Sequence, residues 1–182
     1  RRSSDLFNAI ITQITEQFTY LNLQNGYSAI LAKHVDHRPG NKILVQIKKE
    51  ANADENKLAV ADTEIKIPAK NLILCPNMSK ILFAKNFNNN KDIIKTELEK
   101  FEVGFIVRSD ANSTPLEEIL IEARTITNYY QTLINNTSKL GFIDNPYRAL
   151  NLALSAALNK PKIITQSKQL PITPYLPISD RE

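Results

Sequence analysis

The amino-acid sequence predicts an α+β protein: a small β-barrel, then a small sheet with flanking helices, then an extended proline-rich C-terminal tail. Three observations lead there. Four short runs rich in aromatic, β-branched and leucine residues follow one another in the first third: Leu6 to Ile14, Phe18 to Leu23, Tyr27 to Leu31 and Lys42 to Lys48. After Thr114 the apolar residues recur at three- and four-residue spacing, the period of a helix with one buried stripe. Between Gln169 and Ile178 three prolines recur at short spacing without a helical period, which predicts an extended, polyproline-like arm.

Within the first third, Gln24-Asn-Gly26 and Arg38-Pro-Gly-Asn41 read as turns, so the runs between them form an antiparallel meander. Alternation over Lys42 to Lys48 puts Ile43, Val45 and Ile47 on one face, with Leu44 partly covered on the other. Lys57 to Asp62 supplies a fifth strand. Five such strands closing on themselves give an OB-fold, whose open face carries nucleic acid. Phe18 and Tyr20 are two apart and share a face, either packed inward or offered to bases.

Beyond Pro76 the order is a strand-like stretch from Lys80 to Ala84, an Asn-rich turn and a short helix from Lys91 to Lys100. The apolar strand Val103-Gly-Phe-Ile-Val107 then delivers Arg108 and Ser109 side by side. A guanidinium binds phosphate through two parallel charge-assisted hydrogen bonds and a neighbouring hydroxyl adds a third, so this pair is a candidate phosphate-binding site. Thr114-Pro-Leu-Glu117 has the chemistry of a helix start: hydroxyl cap, proline at the first position, acid three residues past the cap. The helix runs to about Asn135, with Leu116, Ile119, Leu120, Ala123, Ile126, Tyr130, Leu133 and Ile134 on one stripe. A second helix is predicted from Tyr147 to Asn159, ended by Pro161.

Composition sets outer limits. The chain has 182 residues, enough for one ordinary domain or two small ones, and a formal charge of +4 that suits a polyanionic partner. No apolar run approaches the ~20 residues of a membrane-spanning helix, so no membrane partner is expected. A single cysteine, Cys75, sits in an apolar strand and predicts a reduced, packed thiol. No secretory signal is visible, which points to a bacterial cytoplasm or, if a targeting segment has been removed, a mitochondrial or other organelle interior. His34 and His37 lie in a loop with Asp36 and read as surface residues; no glycine-rich phosphate loop, nucleophile elbow or zinc-type cysteine pair is present.

From Asn41 to Asp110 the sequence resembles the ribonuclease E/G family of RNA-processing endonucleases. Three stretches carry the likeness: Lys42-Ile-Leu-Val-Gln-Ile-Lys-Lys-Glu50, the run from Asn56-Lys57 to Asn71-Leu-Ile-Leu-Cys-Pro-Asn77, and Gly104-Phe-Ile-Val-Arg-Ser109. Asp5 to Leu31 is similar to the opening strands of the family's S1-type barrel, and Gly141-Phe-Ile-Asp-Asn-Pro146 to the start of its ribonuclease H-like region. The resemblance implies an S1-type OB-fold RNA-binding domain over 1–70 and a 5′-monophosphate sensor-like α/β subdomain over 71–138. A helical segment of the ribonuclease H-like region follows over 139–165, then a tail over 166–182. It implies RNA contact by Tyr20, which falls where the family places a stacking aromatic, and by Lys57. Tyr27, Lys33, Lys48 and Lys49 are further RNA-binding candidates, and Arg108 with Ser109 the phosphate contact. Ile30 stands at the second stacking position, and Ser79 to Lys85 keeps lysines where the family has arginines. The family's catalytic Asp-x-Asn motif does not follow Asp144, so no catalytic residue, metal site or cofactor is assigned, and Mg2+ is implied only if a catalytic half is supplied elsewhere. The leading expectation is a non-catalytic RNA-binding protein, suited to a larger ribonucleoprotein such as a ribosome that the C-terminal tail would dock onto. The alternatives are the N-terminal part of a magnesium-dependent endoribonuclease and a structural remnant used for protein contacts.

Overall fold

The computed structural model describes residues 4–24, 26–33, 36–135 and 139–146, together with Leu154, Ser155 and Ala157. The helix expected over 147–159, apart from those three residues, and the tail over 166–182 lie outside the described residues. In chain order the elements are β1 (Leu6–Ile14), β2 (Thr19–Gln24), β3 (Tyr27–Leu31), β4 (Lys42–Lys49), β5 (Ala59–Asp62), β6 (Ile67–Pro68) and β7 (Leu72–Cys75). Then come β8 (Ile81–Phe83), α1 (Lys91–Glu99), β9 (Gly104–Val107), a 3-10 turn (Ser109–Ser113), α2 (Leu116–Asn135) and β10 (Gly141–Asp144). Among the described residues the protein is α+β, with a five-stranded barrel, a separate four-stranded sheet and the two helices α1 and α2.

Two compact units are present, one of Arg1–Ile65 with Leu133–Pro146, the other of Lys66–Thr132 with Tyr147–Glu182. In the first, the strands close in the order β1-β2-β3-β5-β4 and back to β1, an arrangement compatible with an OB-fold. Every second residue points inward, so Phe7, Ala9, Ile11, Leu21, Leu23, Ala29, Leu31, Ile43, Val45, Ile47, Ala59 and Ala61 form one buried cluster. Leu44 is half-buried on the outside, as the alternation in β4 implied. The meander is not wholly antiparallel, because β3 and β5 run parallel. Closure demands this: a ring with an odd number of strands cannot alternate direction all the way round.

β1 is long enough to serve three neighbours. One edge pairs with β4 over Leu6 to Ile10; on the other, residues 6–8 pair with β10 and residues 10–14 with β2. The Asn8 amide donates to Lys139 O at 2.9 Å, and the Asn145 amide donates to the buried Asp5 carboxylate at 2.6 Å. Gly141 to Asp144, which the resemblance likens to the start of a ribonuclease H-like region, is thus a strand on β1.

In the second unit the strand order is β6-β7-β9-β8, with β8 and β9 parallel on either side of α1. Gly104 begins β9 where the backbone passes residues 75–78: a Cβ there would lie 2.6 Å from Met78 Cβ and 2.9 Å from Cys75 O. Only glycine fits that approach. Cys75 is buried and has no disulfide. α2 keeps the predicted bounds, and its buried positions are Ile119, Glu122, Ala123, Ile126, Thr127 and Leu133. Among the described residues no helix is long and apolar enough to cross a membrane.

Candidate functional site

Two irregularities in the barrel build its outer face. Strict alternation in β4 would send Lys49 inward after Ile43, Val45 and Ile47. Instead the register slips between Ile47 and Lys49, leaving Lys48 as an extra residue, so that Ile47 opposes Ala61 and Lys49 opposes the outward Val60. A matching slip in β1 sets Gln13 opposite Tyr20. The pairings Tyr20 with Ile30, Ile30 with Val60 and Val60 with Lys49 then draw one outward row across β2, β3, β5 and β4. Neighbouring strands lie ~4.8 Å apart, so these side chains are in mutual reach.

Around this row is a concavity of about 530 Å³ lined by Phe18, Tyr20, Ile30, Leu58 and Val60, with Lys49, Glu50, Asn52, Glu55 and Lys57 at its margin. Phe18 is 40% exposed and meets Tyr20 edge to face, with ring centroids 6.2 Å apart. The Phe18–Tyr20 pair therefore lies on the outside of the barrel and not in its core. A tight turn holds Phe18 there: the Thr15 hydroxyl accepts from the Phe18 N–H at 3.0 Å, and the Thr15 N–H donates to Phe18 O at 2.8 Å.

The margin is a small hairpin between β4 and β5. Asn52 and Lys57 exchange backbone hydrogen bonds of 2.9 and 2.8 Å, and Asn56 makes the turn with φ of 54°, a conformation asparagine tolerates. Lys57 thus precedes β5 instead of opening it. Its ammonium lies 2.9 Å from the Glu55 carboxylate, with both side chains well exposed.

Of the RNA-contact candidates, the concavity gathers Tyr20, Lys49 and Lys57; Tyr27, Lys33 and Lys48 do not line it. Tyr27 is 56% exposed and opposes Gln24 at the β2–β3 turn. Lys33 is bound 3.0 Å from the Glu64 carboxylate, whose hydrogen bond and charge raise its pKa. Lys48, the residue extruded by the slip, donates to Gln46 Oε1 at 2.9 Å. Sequence reasoning passed over Glu50, Asn52, Glu55, Leu58 and Val60. The turn-forming run Asn52-Ala-Asp-Glu-Asn56 was the available signal for this hairpin.

In the second unit, Arg108 is extended and exposed at the end of β9, its N–H donating to Asn71 O at 2.8 Å. One guanidinium nitrogen, Nη1, donates to Ala69 O at 2.9 Å, which steadies the side chain. Ser109 is half-buried and opens the 3-10 turn.

The same unit contains a cavity of about 600 Å³ lined by residues that include Lys70, Asn71, Asp110, Thr114 and Glu122. Glu122 is only 4% exposed and accepts from the Asn71 N–H at 2.8 Å and the Asn71 amide at 3.2 Å. Burial raises its pKa; the hydrogen bonds from Asn71 and the Leu72 N–H, and the charge of Lys70, work the other way. The Thr114 hydroxyl lies 2.8 Å from Asn71 Oδ1, so it extends this network. His37, in its loop, donates from Nδ1 to Asp36 O at 2.7 Å. Among the described residues no group of three or more His, Cys, Asp or Glu side chains is placed to hold a metal ion.

No protein-family model matches the chain, and no curated protein matches it either.

Proposed function

We propose that this chain is an RNA-binding protein whose barrel is of the S1 type and holds single-stranded RNA on the concave face around Tyr20. The observation that carries the reading is the register row Tyr20–Ile30–Val60–Lys49, flanked by the exposed Phe18 ring and by Lys57. Single strands bind where bases stack on exposed aromatic and apolar side chains while cations meet the phosphates. In OB-folds that surface is the face of strands 2 and 3 with the two loops beside it. Here the concavity draws on β2, β3, the β1–β2 turn that carries Phe18 and the β4–β5 hairpin that carries Lys57.

The resemblance of residues 41–110 to the ribonuclease E/G family supports RNA as the nucleic acid and Arg108 with Ser109 as a phosphate contact in the second unit. Exposure of the Arg108 guanidinium, with Nη1 alone engaged by Ala69 O, supports its availability for a phosphate. The reading is one of binding, and no residue is assigned a chemical step.

Anisotropy titrations with 3′-labelled RNA oligomers test it. Tyr20→Ala weakens every single strand by about 5- to 150-fold, the equivalent of the ~1 to 3 kcal/mol that a base–aromatic stack contributes. Arg108→Ala weakens 5′-monophosphorylated RNA more than 5′-hydroxyl RNA. Unchanged affinity in Tyr20→Ala overturns the barrel site, and equal losses on both RNAs remove the phosphate role of Arg108.

A further inference from the structure

We infer that Phe18 is a base-contacting residue: with Tyr20 it forms a two-walled corner that takes one unpaired base, stacked on one ring with its edge against the other. The inference rests on the reading of this face as an RNA site and adds how many bases the two rings hold.

Phe18 and Tyr20 flank the buried Thr19, so strand alternation sends both rings outward. The backbone of each is tied down. Thr15 grips Phe18 through its N–H and carbonyl, and the Thr12 hydroxyl donates to Tyr20 O at 3.2 Å. The rings lie 6.2 Å apart and are inclined at 66°, which excludes two modes of binding. Successive stacked bases are parallel, so rings at this angle cannot serve as consecutive platforms for an unkinked strand. Nor can they sandwich a base face to face, which requires parallel rings.

What the angle does allow is one base against both rings. A base laid parallel to one ring meets the other at the same 66°, edge toward face, an arrangement that aromatic pairs favour. Next along the row stand Ile30 and Val60, which offer apolar contact without a π-face. A stack contributes about 5- to 150-fold in affinity and an edge-to-face contact about 2- to 12-fold. One base therefore collects both contributions, and a second base beside it has no ring of its own to stack on.

The test titrates the full chain, followed by NMR, with hexamers of stable abasic ribose-phosphate residues that carry one uracil or two adjacent uracils at equal charge. The second uracil raises affinity by less than about fivefold, the smallest gain expected of a further stack. The single uracil of the first hexamer shows nuclear Overhauser contacts to the rings of both Phe18 and Tyr20. Phe18→Ala weakens that hexamer by about 2- to 12-fold. Thr15 holds only the backbone of Phe18, so this substitution keeps the turn, and matching thermal midpoints check it. A gain of fivefold or more from the second uracil overturns the proposal, because each ring then takes its own base. So does the absence of contacts to Phe18, or an unchanged affinity in Phe18→Ala. Any of these results, with binding of a single-stranded RNA dodecamer still lost in Tyr20→Ala, sinks this inference and leaves the RNA site standing. Failure of the wild type to bind the dodecamer removes both.

Discussion

Glu55 on the barrel face and Glu122 in the second unit are each tied to a neighbour two to three ångströms away, yet their surroundings differ in kind. Glu55 meets Lys57 in water, with the two side chains 56% and 71% exposed. Glu122 is 4% exposed and satisfies two N–H groups of Asn71 as well as the Leu72 N–H. The exposed pair is weak and screened, so a ligand can replace either partner. The buried network cannot be opened without stranding donors in a poorly hydrated place. Similar chemistry therefore gives a displaceable contact in one unit and a structural tie in the other.

The largest expected effect is on the structural tie. Glu122→Ala leaves the Asn71 and Leu72 donors unpaired and costs about 3 kcal/mol of stability, measured by urea unfolding. A loss below about 0.5 kcal/mol would place Glu122 in the same class as an exposed surface residue and erase the contrast.

The next effect is a pH dependence. Burial raises the Glu122 pKa above the ordinary glutamate value, so between those two values the native state holds a proton that the unfolded chain has released. Stability from this group is greatest at or below the ordinary value and falls as pH rises through the raised one. Glu122→Gln removes that slope, and the difference between the two unfolding-versus-pH curves isolates it. Parallel curves would show that Glu122 ionises as it does in the unfolded chain.

The smallest effect is at the exposed pair. Glu55→Gln changes stability by no more than about 0.5 kcal/mol. A larger loss would make the Glu55–Lys57 pair a structural element of the hairpin and not a contact that ligand can displace.

Much of this molecule is legible in its residues, because local periodicity marks what is buried. The inward cluster of the barrel follows from alternation in Ile43, Val45 and Ile47 and its counterparts, and α2 from Thr114-Pro115 and the spacing after it. What escapes is set by backbone events and distant partners. The slip that turns Lys49 outward and Lys48 aside carries no residue signature, which is why both were equal candidates on sequence grounds. The pairing of β10 with β1 joins segments more than a hundred residues apart. Glu122 was detectable in principle: it falls three residues after Ile119 and four before Ile126, on the buried side of the helix. An acid at such a position needs donors opposite it, and Asn71 provides them.

Chemical-shift mapping of the isotope-labelled chain during titration with a single-stranded RNA dodecamer tests the barrel site most directly. The largest perturbations are expected at Phe18 to Leu21, at Ile30, and from Lys49 through Val60. Perturbations confined to other surfaces of the barrel, or none at all at saturating RNA, would contradict the assignment of this face.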